Sequence, residues 1–152
     1  MRIISSIGEA LDAVGPDFGA SDWVTVGQDR IEAFADATGD HQWIHVDVER
    51  ARAESPYRST IAHGFLTLSL IPALSKANYR VDNAKMGINY GLNKVRFLAP
   101  VPAGSRVRVR SELIDANKVD DTTVDLTVRH TVELDGSVKP AAVAELIARM
   151  VF

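Results

Sequence analysis

Two side chains in the first third of the chain could carry out acid–base chemistry together. Asp40 directly follows Gly39, and His45 lies five positions after Asp40. Five positions turn a helix through about 500°, and an odd spacing on a strand points side chains to opposite faces, so only a turn brings these two together. A carboxylate beside an imidazole is a general acid–base pair, because the imidazole titrates near neutral pH. The spacing therefore predicts a turn that begins at Gly39 and brings the two side chains together, either for catalysis or only as the end of a helix.

Metal binding is the alternative use of the same residue types. The candidate ligands are Asp40, His41, His45 and His63. His41 and His45 have the i, i+4 spacing of helical zinc ligands. The sequence lacks the glutamate of an HExxH motif, however, and a continuous helix from Gly39 onward is not expected. We therefore expect no metal ion, and we expect His41 to face solvent or to lie behind the catalytic pair.

The surrounding segment resembles a known signature. Residues 34–51 read FADATGDHQWIHVDVERA. This stretch is similar to the signature of the (R)-specific enoyl-CoA hydratases, the hydratase 2 group of the MaoC-like dehydratase family. The matching positions are Phe34, Thr38, Gly39, Asp40, Ile44, His45 and Ala51. Gln42 stands where the family usually has Asn, and Trp43 where it has Pro; nodulation-protein-N-like members resemble this variant more closely.

The resemblance continues downstream and covers roughly residues 20–150. Ile61–Phe65, which reads IAHGF, looks like the start of the family's central helix. Val95–Phe97, followed by Pro100–Val101 and Gly104, resembles its strand and turn. Membership implies a hot-dog fold, in which a curved antiparallel sheet wraps a long helix. It also implies a homodimer joined edge to edge.

The activity that the resemblance implies is syn addition of water to a trans-2-enoyl thioester, or the reverse dehydration of an (R)-3-hydroxyacyl-CoA. Asp40 and His45 are then the catalytic dyad, and the backbone N–H of Gly64 stabilises the charge on the thioester oxygen. Four further residues are expected to bind or enclose the substrate: Gln42, Trp43, His63 and Asn93. No cofactor is expected, and the partner is an acyl-CoA.

Two other functions stay open at this point. Many hot-dog proteins are acyl-CoA thioesterases, which tend to carry a carboxylate on the central helix; Ala62–Leu74 contains no Asp or Glu, which disfavours hydrolysis. A non-catalytic acyl-binding subunit of a heteromer is the other alternative. The intact Asp40 and His45 disfavour it.

The elements that must position these residues follow from hydrophobic periodicity and turn residues. The predicted helices are residues 1–15, capped at Ser6, then Gln28–Thr38, 47–52 and Ala62–Tyr79. The predicted strands are Trp23–Val26, Met86–Tyr90, Lys94–Leu98, Arg106–Asp115, Thr122–Glu133 and Val143–Phe152. Because Ala62–Tyr79 is apolar on most sides, other structure must wrap it. The pattern predicts an α+β fold with a long buried helix, a curved antiparallel sheet and a short N-terminal helix.

Composition limits the class of protein. A chain of 152 residues predicts a single domain, residues 1–152, and a net charge of −3 disfavours a nucleic-acid partner. The absence of cysteine excludes disulfides and thiolate nucleophiles and favours a cytoplasmic location. The longest apolar stretch, Phe65–Leu74, is far shorter than the roughly 20 residues of a membrane span.

Three arginines, Arg106, Arg108 and Arg110, alternate with apolar residues. We expect them on a solvated sheet face, although contact with CoA phosphates is an alternative.

Overall fold

The computed structural model describes residues 1–152, which form five helices and eight strands. The helices are α1 (Ile7–Asp12), α2 (Gln28–Thr38), α3 (Trp43–Val46), α4 (Val48–Glu54) and α5 (Gly64–Ser75). The strands are β1 (Arg2–Ile4), β2 (Asp17–Ala20), β3 (Val24–Val26), β4 (Tyr79–Val81), β5 (Met86–Phe97), β6 (Ser105–Lys118), β7 (Thr123–Leu134) and β8 (Ala142–Val151). Helices dominate the first half and strands the second, as predicted.

One antiparallel sheet forms the body of the fold. Its strand order is β2-β6-β7-β8-β5, and β3 pairs with the same edge of β6 as β2 does. Val107, Val109, Ser111 and Leu113 of β6 are buried and alternate with more exposed residues. This period of two places one face of the sheet against α5 and the other toward solvent. The predicted α+β arrangement of helix and antiparallel sheet is confirmed.

The central helix α5 is shorter than the sequence suggested. It begins at Gly64, because His63 has an extended backbone (φ −57°, ψ 138°), and it ends at Ser75 instead of Tyr79. Leu66 and Ile71 pack into the main core with Val107 and Val109 of β6. No helix of the structure has the length and hydrophobicity needed to cross a bilayer.

Two expectations about the strands need correction. Met86–Tyr90 and Lys94–Leu98 are not separate strands but the single 12-residue strand β5, whose pairing with β8 shifts register near Gly91 and again before Lys94. The helix expected over residues 1–15 is only α1, capped by Ser6 as predicted, while β1 precedes it and β2 follows it. β1 lies parallel to β4, a distant pairing that has no local pattern.

A polar seam of Asn78, Ser111 and His130 crosses the buried face of the sheet between two hydrophobic clusters. Ser111 and His130 are direct partners across β6 and β7. The Nδ2 of Asn78 donates to the carbonyl of Val109 and to Oγ of Ser111, both at 2.8 Å. The seam ties the turn after α5 to the middle of the sheet.

Candidate active site

The end of α2 places Asp40. Gly39 adopts the left-handed conformation (φ 80°) and donates its N–H to the carbonyl of Ala35 at 2.8 Å. A residue with a Cβ is disfavoured in this conformation, so glycine suits the reversal of the chain here. Asp40 follows at once and is exposed in the isolated protomer.

His45 lies in the one-turn helix α3 and is 7% exposed. Its Nδ1 lies 2.7 Å from the carbonyl oxygen of Ile61. Because a carbonyl can only accept, Nδ1 carries the proton and Nε2 has the free lone pair. Nε2 makes no hydrogen bond within the chain and is not sealed from the pocket that His45 lines. An imidazole in this tautomer can accept a proton through Nε2.

His63 supports the pair from behind. Its ring stacks on that of His45, with 3.8 Å between centroids and 24° between planes, and Phe34 packs 5.0 Å from it. Its Nε2 donates to the backbone carbonyl of Asp40 at 2.9 Å. His63 is 3% exposed and does not line the pocket, so in the protomer it holds Asp40 and His45 together.

Asp40, His45 and His63 converge without a direct hydrogen bond between the carboxylate of Asp40 and either ring. One carboxylate oxygen and one nitrogen of each imidazole lie within 4.8 Å of one another. A single water with hydrogen bonds of about 2.8 Å to two partners bridges atoms about 4.5 Å apart, which is close to the separation of these side-chain atoms. The donor set does not suit a shared metal ion, because stacked rings direct their lone pairs side by side, whereas metal ligands converge on one point.

His45 opens into a pocket of about 370 Å³ between the start of α5 and the end of β5. The lining residues are His45, Tyr57, Ile61, Ala62, Gly64, Thr67, Phe97, Leu98, Ala99, Pro100, Val101 and Ala141. Most of the lining is apolar, and His45 is its one ionisable imidazole. This combination suits an apolar substrate with one reactive polar centre.

Gly64, the first residue of α5, lies in this wall. Its N–H makes no hydrogen bond within the chain, as expected for the first turn of a helix. A Cβ at Gly64 would lie 3.0 Å from the ring of Phe97, so a side chain here would be crowded. The N–H therefore combines a free donor with the positive end of the helix dipole, and the ring of Phe97 fills the space that a side chain at Gly64 would need.

The other predicted substrate contacts lie outside the pocket in the isolated protomer. Gln42 is the exposed N-cap of α3, and Asn93 is exposed on β5. Trp43 packs beneath the guanidinium of Arg50, which lies 4.4 Å from the ring centroid. Their roles in substrate binding stay predictions. His41 is exposed, as predicted, and its hydrogen bond to Asp36 raises its pKa.

The alternating arginines of β6 are all paired with carboxylates. Arg108 contacts Glu133, and Arg110 bridges Glu133 and Asp17. Arg106 pairs with Asp135. These ion pairs lie on the solvated face of the sheet, away from the pocket of His45, which favours the solvated-face interpretation over CoA binding.

Three residues of the site had no signal in the sequence. Tyr57 lines the pocket from the loop after α4. Gln28 donates to the backbone carbonyl of His45, 17 residues away along the chain, and accepts the hydroxyl of Thr60. Gln28 is the first residue of a predicted helix, and that position alone gave no reason to connect it with His45.

The fold and the site are those of a hot-dog protein that acts on acyl thioesters. The chain belongs to the family of the MaoC-like domain, because the sequence model of that family matches residues 9–134. The predicted membership and hot-dog fold are thereby confirmed. The chain is 56% identical over 151 residues to the 3-hydroxyacyl-thioester dehydratase Z of Mycobacterium tuberculosis, covering 99% of both chains. It is 44% identical to nodulation protein N of Rhizobium leguminosarum bv. viciae, covering 97% of this chain and 92% of the relative.

A solved structure shares the fold. The R-hydratase PhaJ1 from Pseudomonas aeruginosa, in its unliganded form, superposes with a TM-score of 0.71 over 96% of this chain and 84% of its own. The two sequences are 23% identical. The arrangement of helix and sheet is thus shared despite extensive divergence.

Proposed function

We propose that the protein is an (R)-specific 2-enoyl-thioester hydratase that also catalyses the reverse reaction, dehydration of a 3-hydroxyacyl thioester. The observation that carries the proposal is the state of His45. Its Nδ1–H is fixed on the Ile61 carbonyl, and its free Nε2 faces a pocket that also contains the unpaired N–H of Gly64. A base and an oxyanion donor thus lie on the walls of one mostly apolar cavity.

In the hydration direction, one water lies between the Asp40 carboxylate and His45. The dyad takes a proton from the water while the water oxygen forms a bond to the β-carbon of the enoyl thioester. The electron pair of the double bond moves toward the thioester carbonyl, whose oxygen gains negative charge and accepts a hydrogen bond from Gly64 N–H. The same dyad returns a proton to the α-carbon from the same face. Addition is therefore syn, and the reverse sequence eliminates water.

The comparisons support this class of reaction. The mycobacterial relative is named a 3-hydroxyacyl-thioester dehydratase, and it matches this chain from end to end. The enzyme class predicted from the sequence, a hydro-lyase, is confirmed at this level. The assignment of Asp40, His45 and Gly64 to their catalytic roles is our proposal from the geometry, as is acyl-CoA as the substrate.

A thioesterase is the main alternative, and the structure disfavours it. Residues 64–75 form α5, and no acidic residue occurs among them. The carboxylate near the pocket, Asp40, comes instead from the turn after α2, where it faces two imidazoles. The third reading, a non-catalytic subunit, would not require His45 to be held in a single tautomer facing an open cavity.

We also propose that the enzyme is a homodimer in the cytoplasm. β5 pairs with β8 along one edge only, and its other edge is free. Six exposed large apolar residues lie on this strand or beside it: Phe65, Met86, Ile88, Tyr90, Leu92 and Phe97. A long apolar edge strand is normally covered by another chain. Asn93 lies on this edge, where a partner could bring it close to a substrate.

The direct test is an assay of the purified wild-type protein with crotonyl-CoA. Loss of the conjugated enoyl-thioester absorbance, with formation of (R)-3-hydroxybutyryl-CoA detected by a stereospecific dehydrogenase, is the expected result. Release of free thiol would indicate a thioesterase. An intact substrate, with both short and long enoyl chains and with enoyl groups on a carrier protein, would support the non-catalytic reading and overturn the proposal.

A further inference from the structure

One half-buried amide joins the two backbone segments that hold His45. Gln28, the first residue of α2, donates from Nε2 to the carbonyl oxygen of His45 at 2.8 Å. Its Oε1 accepts the hydroxyl of Thr60 at 2.5 Å. Nε2 also lies 3.4 Å from the carboxylate of Glu32, which agrees with the same orientation of the amide because both neighbours of Nε2 are acceptors.

Thr60 is the second half of this bridge and is 2% exposed. It directly precedes Ile61, whose carbonyl accepts the Nδ1–H of His45. The carbonyl of Thr60 in turn accepts the N–H of Ala103 at 2.9 Å, which anchors the loop next to β6. A buried hydroxyl must find a partner, and Gln28 supplies it.

The helix that carries His45 needs such support. α3 has only 4 residues, far too few to be stable alone, and its terminal carbonyls have no partner within the helix. The carbonyl of Ile44 accepts the N–H of Ile61 at 3.0 Å, and that of His45 accepts from Gln28. Both bonds lead to the segment Thr60–Ile61, directly or through the Gln28 amide.

We propose that Gln28 and Thr60 are positioning residues for His45, an inference that rests on the proposed function of that side chain. The Gln28–Thr60 bridge fixes the backbone of His45 relative to the Ile61 carbonyl, so it fixes both the direction of the ring and the nitrogen that carries its proton. A displacement of a reacting group by about 1 Å can lower a rate about 100-fold. Loss of the bridge therefore acts on kcat, since Gln28 and Thr60 do not line the pocket.

The test uses shape-matched variants of both residues. Thr60→Val and Gln28→Met remove the polar groups at similar volume, and Thr60→Ser retains the hydroxyl as the control. We expect kcat for crotonyl-CoA to fall about 10- to 100-fold in the first two variants, with KM within about threefold of wild type. Thr60→Ser should stay within about threefold of wild type in kcat.

The second readout is independent of turnover. Nitrogen-15 NMR of the full-length protein reports the tautomer of His45, which is Nδ1–H in the wild type. We expect Thr60→Val and Gln28→Met to populate the Nε2–H tautomer, and Thr60→Ser to resemble wild type. Unchanged His45 signals would overturn the inference even if activity fell, as would unchanged kcat in both variants. If wild type lacks hydratase activity, the proposed function fails, and the NMR result alone still decides whether the bridge orients His45.

Discussion

The tautomer of His45 is set by a main-chain carbonyl. The Ile61 carbonyl accepts from Nδ1, so Nε2 is left for chemistry, and the stacked ring of His63 limits rotation of the imidazole. His63 also holds the carbonyl of Asp40 at 2.9 Å, which places the turn after α2 beside the ring. The ring of His45 and the backbone of Asp40 are therefore held by bonds that leave Nε2 of His45 free.

Replacement of Gly64 tests the oxyanion donor. In Gly64→Ala the new methyl meets the ring of Phe97 at 3.0 Å and narrows the approach to the N–H. Alanine retains the N–H, so we expect kcat/KM for crotonyl-CoA to fall by up to about 100-fold, the cost of losing one oxyanion donor, as the methyl restricts access to it. Steady-state kinetics, with circular dichroism as a check on folding, measures the change.

The double variant Gly64→Ala with Phe97→Leu is the control for crowding against the ring. Its kcat/KM should stay below the wild-type value if the methyl group acts by restricting access to the Gly64 N–H. Recovery of wild-type kcat/KM in this double variant would show that Gly64 serves only the packing against Phe97.

The sequence predicted Asp40 and His45 as the reactive pair, a role that stays a prediction, and it did not predict the residues that support them. Asp40 and His45 could be predicted as a pair because the surrounding residues resemble a known signature; the two residues alone would also suit the end of a helix. Gln28 and Thr60 could not, since their bonds join positions 17 and 32 apart along the chain. The partner of His45 is a backbone carbonyl, which every residue has and which leaves no trace in the sequence.

At the scale of elements, the polar seam sits where the two hydrophobic clusters meet. His130 of β7 is fully buried, and its only side-chain partner is Ser111 at 3.0 Å. Its Nε2 has no partner. Burial lowers the pKa of His130 to about 4, because a charged imidazole is poorly solvated there.

The seam predicts a pH-dependent stability. Since an unfolded histidine has a pKa near 6.5, the unfolded chain binds the proton of His130 between about pH 6.5 and 4 while the folded chain does not. The free energy of unfolding is therefore fully retained above about pH 6.5 and falls as the pH is lowered, by about 3 kcal/mol in total from this residue. Urea unfolding between pH 4 and 7.5 measures it.

The variant His130→Asn is the comparison for that measurement. It should be less stable than wild type at neutral pH, because a buried partner of Ser111 is altered. The difference in unfolding free energy between the two proteins should shrink as the pH falls. Parallel stability curves would contradict a neutral, buried His130.

Elements with strong local patterns were predicted well, and those that depend on distant pairing were not. The alternation in β6 and the caps of α1 and α4, Ser6 and Asp47, follow from neighbouring residues. The strand β8 matches the predicted Val143–Phe152. β1 and β2 were not predicted; each is only three or four residues long and pairs with a strand far along the chain. β3 is equally short and pairs with the distant β6, and it was predicted within Trp23–Val26.

At the scale of the whole molecule, the free edge of β5 is the main exposed apolar surface. Most residues of β5 are exposed on both faces of the strand, whereas the residues of a central strand such as β7 are mostly buried. A second copy of the chain that pairs along this edge would bury these side chains and continue the sheet.

Charge on this edge tests the homodimer. We expect wild type to sediment with a mass of about twice 16.5 kDa and the double variant Ile88→Lys with Leu92→Lys to sediment as a 16.5 kDa monomer, since repeated positive charges oppose pairing of identical edges. Val138→Lys, at an exposed loop position, is the matched control and should stay dimeric. A monomeric wild type, or a double variant of unchanged mass, would refute this interface.

The kinetics of Asp40→Asn and His45→Gln with crotonyl-CoA test whether Asp40 and His45 act together on an enoyl thioester. Both changes keep the size of the side chain and remove its ability to accept the proton. We predict that kcat falls by about two decades or more in each folded variant, and that the double variant is little worse than either single one because the residues act as a unit. Hydration within about tenfold of wild type in either folded variant would contradict the dyad.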